Sequence, residues 1–482
     1  MTSLQVFALL PLIILMAGIV VILVVTAFYR SHPLAAGLTL LTLLLSFLSA
    51  VSASGGPPVQ VSSLLVMDHY ALFYIGLIVA ASFFVALISY GYLKIHSENR
   101  EEFYILLLTA TFGSAVLVSS THFASFFLGL EILSVSLYAL IAYQRLDPHN
   151  IEAGLKYLIL AGASAAFLLF GMALVYAATG AMEFDQIVTT LAGSNSGVSA
   201  IKLIGLAMLI VGIGFKLAFV PFHMWTADVY QGAPAPVTAF VATVSKGGMF
   251  ALLLRLFHNT NFQSYGSPLF VVFAVISIAS MLSGNLLALL QNNVKRILAY
   301  SSISHLGYLL VPFLIVGQGA TISITFYLVS YFITTLGAFG VVAVLSDGRA
   351  DADNLEQYRG LLWDRPWLAA IFTVALFSLA GIPLTAGFIG KFFLIAAGVG
   401  SSDWLLVILL VLASAIGLFY YLRIVVIMYL RPQDEISANL RLSSVPWAGA
   451  VALAVLVILL IGIGVYPSPL IRMIQIMAAS LG

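Results

Sequence analysis

The chain has 482 residues, of which 62% are hydrophobic and only 8% are charged, and its formal net charge is +1. Roughly a quarter of the residues in an ordinary soluble domain are charged, so this composition excludes a water-soluble globular protein. The balanced charge offers no basic surface, and no nucleic-acid partner is expected. The chain has no cysteine, which excludes disulfides, thiolate metal sites and iron–sulfur clusters held by this chain.

Apolar runs of about 20 residues recur along the whole chain with short polar breaks between them, which is typical of helices that cross a bilayer. They predict a single polytopic, all-α membrane domain with about fourteen transmembrane helices. The predicted spans are residues 5–28, 34–53, 70–93, 103–120, 122–143, 154–179, 200–222, 236–257, 268–290, 298–316, 321–346, 366–398, 404–430 and 446–466. A short interfacial helix is expected in the tail, between Pro467 and Ala479.

Basic residues in the loops predict the orientation, because short cytoplasmic loops retain lysine and arginine. The loops after even-numbered spans hold only Lys202, Arg255 and Arg472. The loops after odd-numbered spans hold Arg30, Lys94, Arg100, Arg145, Lys295, Arg296, Arg349, Arg359, Arg365, Arg431 and Arg441. The odd-numbered loops are therefore predicted to face the cytoplasm, and both termini the periplasm. The longest polar stretch, residues 347–365, is predicted to be a solvated connector on the cytoplasmic side.

A few charged residues lie inside apolar spans, where each costs about 2.5–3.5 kcal/mol if it faces lipid. The basic ones are Lys156, Lys216, Lys246, Lys391 and Arg423, and the one acid deep within a span is Glu131. Such groups have to face one another or water, so together they predict a hydrophilic axis through the membrane.

Two of these charges also have simple structural explanations. Arg423 lies about seven residues from the predicted end of its helix, close enough to reach the headgroups. Lys156 lies near the start of its span and could form a structural pair with Glu152 or Glu131. Both explanations stay open from the sequence.

Two of the lysines lie beside helix-breaking sequences. Lys216 precedes Pro221 in the seventh span, and Lys391 follows a Gly/Pro/Thr interruption at residues 381–387 in the twelfth. Irregular backbone at that depth is tolerated only where it lines a cavity or is buried in protein. The offset of five spans predicts two inverted five-helix repeats, spans 4–8 and 9–13, each with a broken helix, which is an architecture of ion translocators.

The repeats divide the chain into four predicted segments. These are residues 1–100 with helices 1–3, residues 101–260 with the first repeat, residues 261–432 with the second repeat, and residues 433–482 with the last helix and the tail.

Two histidines are candidate supporting residues. His305 has Ser301, Ser304 and Tyr308 as predicted neighbours on one helical face, where these side chains could order a file of water. A core histidine with satisfied hydrogen bonds is the alternative. His223 and Asp228 follow the break in the seventh span and are predicted at the cytoplasmic mouth of the axis. A solvated loop is the alternative for this pair.

Three stretches carry a resemblance to a known family: residues 215–246, which include GAPAPVTAF at 232–240; LAYSSISHLGY at 298–308; and GFIGKF at 387–392. They resemble the antiporter-like membrane subunits of respiratory complex I, and within these the subunit N branch of bacterial NADH–quinone oxidoreductases. The resemblance covers nearly the whole chain. The M-type branch has a glutamate in place of Lys391, and the L-type branch has a long C-terminal lateral helix that this chain lacks.

The resemblance implies roles for individual residues. Glu131 on span 5 is expected to pair with Lys216 on span 7, Lys246 on span 8 to continue the axis, and Lys391 on span 12 to be its terminal lysine. The expected supporting positions are Lys156, His223, Lys295 and His305.

The resemblance also implies a proton-translocating subunit of an enzyme in the inner membrane of a bacterium, with no redox chemistry of its own. Flavin, iron–sulfur clusters and quinone are expected in partner subunits, and this chain is expected to bind no cofactor or metal. Expected partners are other antiporter-like and small membrane subunits of complex I, and the lipid bilayer.

Two other functions are compatible with the same charged residues. A subunit of a multisubunit cation/proton antiporter would use the same lysine axis. A structural membrane scaffold would use the charges only to hold helices together.

Overall fold

The structure, a computed structural model, describes residues 2–96, 99–193, 200–258, 268–315, 317–347, 350–400, 403–431 and 446–481. Backbone N–H and C=O groups find no water partners in hydrocarbon, so an apolar chain that crosses a membrane satisfies them within helices. Three helices come first, and they are α1 (Ser3–Phe28), α2 (His32–Ala53) and α3 (His69–His96). A short antiparallel hairpin, β1 (Val59–Gln60) with β2 (Val66–Met67), lies between α2 and α3 and is an exception to the all-α prediction.

The first predicted repeat contains two short helices, α7 and α9, that the sequence did not predict. Its elements are α4 (Glu101–Ser119), α5 (Phe123–Ile141), α6 (Pro148–Thr179), α7 (Phe184–Gly193), α8 (Ala200–Leu217), α9 (Trp225–Gly232), α10 (Ala235–Phe240), a π-helical turn (Val241–Ser245) and α11 (Lys246–Phe257).

The second predicted repeat is followed by two C-terminal helices. The elements are α12 (Pro268–Leu289), α13 (Val294–Phe313), α14 (Gln318–Leu345), a 3-10 turn (Leu355–Tyr358), α15 (Leu361–Asp364), α16 (Pro366–Ala380), α17 (Ala386–Gly400), α18 (Trp404–Tyr429), α19 (Trp447–Val465) and α20 (Ser468–Ala479). The tail is therefore helical, as predicted.

Within the described residues, twelve helices are long and apolar enough to cross a membrane, with α10 to α11 counted as one. α13 and the α16–α17 pair occupy the two remaining predicted spans. All fourteen predicted spans are therefore helical, and the predicted fold class is confirmed. The segment boundaries at residues 260 and 432, and the loop arginines Arg349 and Arg441, lie outside the described residues.

Loops of the same parity lie together. Backbone pairing joins Leu65 to Ser120 and Asn293 to Asn354, so loops after even-numbered spans meet each other, as do those after odd-numbered spans. We call these two sides the even-loop face and the odd-loop face. The even-loop face includes residues 54–68, 120–122, 180–183 and 466–481, and the odd-loop face includes residues 29–31, 142–147, 290–293 and 350–365.

Glycines allow the first two helices of each repeat to approach closely. A Cβ atom on Gly113 of α4 would lie 2.6 Å from the backbone nitrogen of Leu133 on α5. A Cβ atom on Gly284 of α12 would lie 2.7 Å from the backbone nitrogen of Ser304 on α13. Small residues at such contacts are the usual means of packing membrane helices, and their presence in both repeats agrees with the predicted internal duplication.

The centre of the bundle is formed by α10–α11 and α14, whose spanning segments are buried along their whole length. By contrast, only 33% of the spanning segments of α1 and α6 is buried. Polar side chains on the central helices are therefore shielded from lipid by the surrounding helices.

Candidate functional site

The helix breaks predicted in spans 7 and 12 are present, and each contains a strained residue. Ala218, between α8 and α9, has a φ of 59°, and Leu384, between α16 and α17, has a φ of 72°. Among the described residues, these are the only non-glycine residues with positive φ. This conformation costs about 1–2 kcal/mol for a residue with a Cβ atom and persists only where the surrounding structure determines it.

Side chains donate hydrogen bonds to backbone carbonyl groups at both breaks. The indole Nε1 of Trp225 donates to the carbonyl of Phe215 at 3.0 Å. The amine of Lys391 donates to the carbonyl of Ala380, the last residue of α16, at 2.9 Å. The second break therefore supplies a hydrogen-bond acceptor for the lysine that the sequence predicted as functional.

Lys216 is buried near the end of α8 and is held by hydroxyl groups. Its amine donates to the hydroxyl of Ser134 at 2.6 Å and to that of Tyr157 at 3.3 Å. The implied direct pair with Glu131 is not formed: no ion pair joins the two residues, and Oε1 of Glu131 is buried without a hydrogen-bond partner among the described residues. Ser134 lies one turn after Glu131 on α5, and its hydroxyl occupies the position beside the amine.

Lys246 lies at the start of α11, directly after the π-helical turn, and is 1% exposed. Its amine donates to the hydroxyl of Ser302 at 2.8 Å, and Ser302 also accepts from Tyr331 at 2.7 Å. The amine lies 5.1 Å from the ring centre of Tyr230 and 6.0 Å from that of Trp225. Among the described residues, Lys246 forms no ion pair, and its amine contacts a hydroxyl and two aromatic rings.

His305 on α13 has a tyrosine on each ring nitrogen. Nδ1 lies 2.7 Å from the hydroxyl of Tyr327, and Nε2 lies 3.0 Å from that of Tyr421. Of the predicted neighbours, Ser301 hydrogen-bonds to Tyr421, whereas Ser304 donates back to the carbonyl of Ser301. The partners of the histidine therefore come from α14 and α18, and not from its own helical face as predicted.

Lys391 forms hydrogen bonds with residues of both α16 and α18. Besides the carbonyl of Ala380, its amine donates to the hydroxyl of Ser414 at 2.7 Å. The amine also lies 5.5 Å from the ring centre of Tyr308, one turn from His305 on α13. No carboxylate of the described residues pairs with Lys391.

These residues form a continuous buried file, which we call the lysine axis. In order, the lysine axis consists of Lys216, Tyr157, Trp225, Lys246, Ser302, Tyr331, His305, Tyr308 and Lys391. The rings of Tyr157 and Trp225 lie 5.0 Å apart and connect the first two lysines. The ring of His305 lies 5.6 Å from that of Tyr331 and 5.4 Å from that of Tyr308, which connects the second and third lysines.

Lys156 belongs to a surface network on the odd-loop face and not to the lysine axis. Its amine pairs with Glu152 at 2.7 Å and with Asp228 at 2.9 Å, and its side chain is 43% exposed. The pair with Glu152 is one of the two alternatives that the sequence left open. Asp228 also pairs with Arg296 of α13 at 2.8 Å, so this carboxylate joins the two repeats beside a polar pocket of about 160 Å³.

The stability of this network is expected to depend on pH only in the range where the carboxyl of Asp228 titrates. Burial raises the pKa of the carboxyl, but hydrogen bonds from Lys156 and Arg296 outweigh it and hold the pKa below its usual value. A depressed pKa stabilises the folded state above the unfolded value and loses that effect as pH falls through the folded value. We expect Asp228→Asn to lower the thermal stability of the purified protein by about 0.2–1 kcal/mol per lost pair, equally at about pH 6 and pH 8.

Thermal unfolding of the variant and of Glu152→Gln tests this expectation. Glu152→Gln keeps both pairs of Asp228 and should have the smaller effect. A stability difference for Asp228→Asn that appears only above neutral pH would contradict the assignment.

Lys295 lies in a buried ion pair that the sequence did not predict. Its amine lies 2.6 Å from the carboxylate of Asp351 and 2.6 Å from the carbonyl of Ala233, and Tyr92 donates to the same carboxylate at 2.7 Å. Burial raises the pKa of Asp351, but Lys295 and Tyr92 outweigh it and hold the carboxyl ionised. The connector at 347–365 was predicted to be solvated, and this prediction is wrong for Asp351, which packs inward against the buried lysine, whereas Asn354, Glu356 and Asp364 are exposed.

The remaining two candidates lie apart from the lysine axis. His223 is largely buried in the first break, and its Nδ1 has no hydrogen-bond partner among the described residues. Arg423 donates to the carbonyl of Gln291 at 3.1 Å and to the side chain of Asn292, at the end of α12. The arginine therefore binds a helix terminus at the odd-loop face, which agrees with the structural explanation of its charge.

The sequence did not point to two tyrosines of the lysine axis, Tyr157 and Tyr331, or to Tyr327 and Tyr421 beside it. All four are buried, and each hydroxyl contacts a lysine, a histidine or a serine of the axis. A tyrosine within an apolar span is itself a signal, because a buried phenol requires a hydrogen-bond partner.

Comparison with known proteins identifies a matching family model and close relatives of this chain. A family model described as NADH:quinone oxidoreductase/Mrp antiporter, TM, matches residues 120–417. A protein named NADH-quinone oxidoreductase subunit N from Nitrosospira multiformis is 52% identical, over 96% of this chain and 94% of its own length. A protein of the same name from Ectopseudomonas mendocina is 47% identical, over 98% of this chain and 97% of its own length.

Solved structures share the fold. A chain of respiratory complex I from Thermus thermophilus with bound aureothin is 33% identical, with a TM-score of 0.81 over 96% of this chain and 98% of that chain. A chain of the Mrp complex from Dietzia sp. has a TM-score of 0.86 over 100% and 98%, but only 21% identity, which shows the fold alone. The long matches and the high identity to the curated relatives lead to one assignment: the chain belongs to the family of NADH:quinone oxidoreductase/Mrp antiporter membrane subunits, in the group of NADH-quinone oxidoreductase subunit N.

Proposed function

We propose that the chain is a proton-translocating membrane subunit of an NADH–quinone oxidoreductase, and that the lysine axis carries the protons. The observation that supports this most directly is the continuous file of lysines, hydroxyls, aromatic rings and one histidine that crosses from the first repeat to the second. Hydroxyl and imidazole groups both donate and accept hydrogen bonds, so they can pass a proton between lysines that cannot touch each other.

Each axis residue has a proposed step. Lys216 receives a proton from the odd-loop face, and Lys246 takes it past the contacting rings of Tyr157 and Trp225. His305 relays it towards Lys391, which releases it on the other side. Ser302, held by both Lys246 and Tyr331, is the first hydroxyl after Lys246 on this relay.

Glu131 is proposed as the control of the first step. A carboxylate near Lys216 favours the charged amine, and burial of the amine without that carboxylate favours release of its proton. The free Oε1 of Glu131 and its position one turn from Ser134 leave it able to rotate towards the amine. The arrangement described above corresponds to the separated state of the pair, and electron transfer in other subunits would shift the equilibrium between the two states.

The names of the relatives favour the oxidoreductase over the antiporter. Proteins called NADH-quinone oxidoreductase subunit N are 46–52% identical along nearly the whole chain, whereas the likeness to the Mrp complex rests on the fold. We therefore propose that the chain assembles with other membrane subunits, and with subunits that carry flavin, iron–sulfur clusters and quinone. Copurification of NADH–quinone reductase activity with this chain in mild detergent supports the proposal, and its absence contradicts it.

The orientation is proposed from the loop charges. The odd-loop face is assigned to the cytoplasm and the termini to the periplasm of a bacterial inner membrane. A reporter that is active only in the periplasm should function when fused to the C-terminus, and one that is active only in the cytoplasm should not.

The role of Glu131 is testable by Glu131→Gln, which keeps the shape of the side chain and removes its charge. We expect NADH-driven proton pumping by the reconstituted complex to fall about threefold to tenfold, because Lys216 loses the carboxylate that favours its charged form. Pumping is followed with a pH-sensitive dye in proteoliposomes. Glu152→Gln, an acid of the surface network, is the control and should pump normally. Undiminished pumping by Glu131→Gln in a normally assembled complex would overturn the proposed role.

A further inference from the structure

An apolar groove opens on the lipid-facing side of the bundle, at its even-loop end. It has a volume of about 430 Å³, which is in the range of ligand sites, and it lies between α2, α3, α14 and the C-terminal helix α20. Its walls include Phe47, Leu72, Leu77, Val329 and Met477. No acid is among the residues that line it.

The length of the groove corresponds to one leaflet of a bilayer. Along α3 the lining runs from His69, the first residue of the helix, to Ala80, which is about 16 Å at 1.5 Å per residue. Half of the hydrocarbon thickness of a bilayer is about 15 Å. The groove therefore begins at the depth of the headgroups and ends near the midplane.

The polar groups are at one end only. Ser54, just after α2, and His69 line the groove where it meets the even-loop face. At the deep end the lining consists of residues such as Leu77 and Ala80. A groove with one polar end and one long apolar end fits an amphipathic molecule that has a polar headgroup and an apolar tail.

Helix α20 carries a cation next to residues that line the groove. Arg472 is exposed and precedes Met473, which lines the groove, and it lies on the same face of α20 as Ile476, another lining residue. Among the described residues, Arg472 forms no ion pair. Met473 and Ile476 are 57% and 63% exposed, so this side of α20 presents apolar side chains next to a free guanidinium.

We propose that this groove is a binding site for an anionic glycerophospholipid of the leaflet at the even-loop face. One acyl chain lies along α3 in the groove, and the phosphate lies against Arg472, with Ser54 and His69 as further hydrogen-bond donors. The lipid fills the space between α20 and the bundle and holds this amphipathic helix against α3 and α14. The proposal does not depend on the lysine axis.

A photoactivatable phosphatidylglycerol with a diazirine near the end of one acyl chain tests the site in the intact complex. The complex is reconstituted in phosphatidylcholine nanodiscs with a small fraction of this probe, and the labelled peptides are identified by mass spectrometry. We expect labels on α2 and α3 near Leu77, and competition by unlabelled phosphatidylglycerol at lower concentration than by phosphatidylcholine.

Variants of small residues separate the groove from ordinary contact with lipid. Gly76 lines the groove, and a Cβ atom there meets only Phe47 at an ordinary 3.7 Å, so Gly76→Leu fills the groove without a backbone clash. Labelling should fall at least about tenfold, because displacing even two methylenes loses roughly that factor. Ala80→Leu should do the same. Gly37→Leu, at a lipid-facing position of α2 with open space around it, is the matched control and should label as the wild type.

The headgroup part of the site is tested by Arg472→Gln. This variant should retain acyl-chain labelling but lose the preference for phosphatidylglycerol over phosphatidylcholine. Equal labelling of Gly76→Leu and Gly37→Leu would show ordinary lipid contact and overturn the proposal. Crosslinks to a neighbouring subunit in the groove would overturn it in favour of a protein interface, and preferential labelling by a photoactivatable quinone in favour of a quinone. Retained NADH–quinone reductase activity verifies that each variant is assembled.

Discussion

Lys246→Met is expected to reduce NADH-driven proton pumping at least about tenfold while the complex still assembles. Lys246 is at the centre of the lysine axis, and methionine has a similar length but no exchangeable proton. Removal of the amine leaves no orphaned charge, since the lysine forms no ion pair among the described residues, and Ser302 keeps its hydrogen bond to Tyr331. An apolar side chain at this buried position is therefore compatible with folding. The measurement is the initial rate of proton uptake in proteoliposomes, normalised to the assembled complex.

Two further variants determine what the position requires. Lys94→Met removes an exposed lysine at the end of α3 and should pump as the wild type. Lys246→Arg keeps the positive charge but exchanges its proton far less readily, so it should pump as poorly as Lys246→Met. Normal pumping by Lys246→Met would contradict the axis, and normal pumping by Lys246→Arg would show that charge alone, without proton transfer, is sufficient.

Asp351→Ala is expected to have the largest effect on stability, about 3–5 kcal/mol, because it leaves the buried amine of Lys295 without its counter-ion. The side chains of Lys295 and Asp351 are only 1% and 11% exposed, so water cannot replace the carboxylate. We expect little assembled protein in membranes, measured by immunodetection of the chain and by its melting temperature in detergent.

The double variant Asp351→Ala/Lys295→Met separates loss of charge balance from loss of the carboxylate itself. It removes both charges and should recover most of the lost stability. Asp353→Ala removes a neighbouring carboxylate that bonds to the neutral amide of Asn293, and it should cost only about 1 kcal/mol. If the double variant is no more stable than Asp351→Ala, the ion pair is not the source of the effect.

The sequence by itself determined the membrane spans, the alternation of their direction and the position of both helix breaks. It also determined which lysines lie deep within the spans. These features depend on local properties: the length of an apolar run, the missing N–H of a proline, and the high cost of a charge in hydrocarbon. The rarity of charge made Lys216, Lys246 and Lys391 easy to identify. The unpredicted elements, which include α7, α9, α15 and the β1–β2 hairpin, are short and carry no comparable signal.

Only the tertiary structure decided which groups those side chains contact. Ser134 and not Glu131 lies beside Lys216, the partners of His305 come from α14 and α18, and Asp351 reaches Lys295 from a connector that reads as solvated. The way the helices pack against each other determines whether a hydroxyl or a carboxylate becomes the partner of a buried amine or imidazole. Such partners lie far apart in the chain, and no periodicity in the sequence reveals the contact between them. The sequence therefore placed the charges in the membrane, and the packing of the two repeats joined them into one axis.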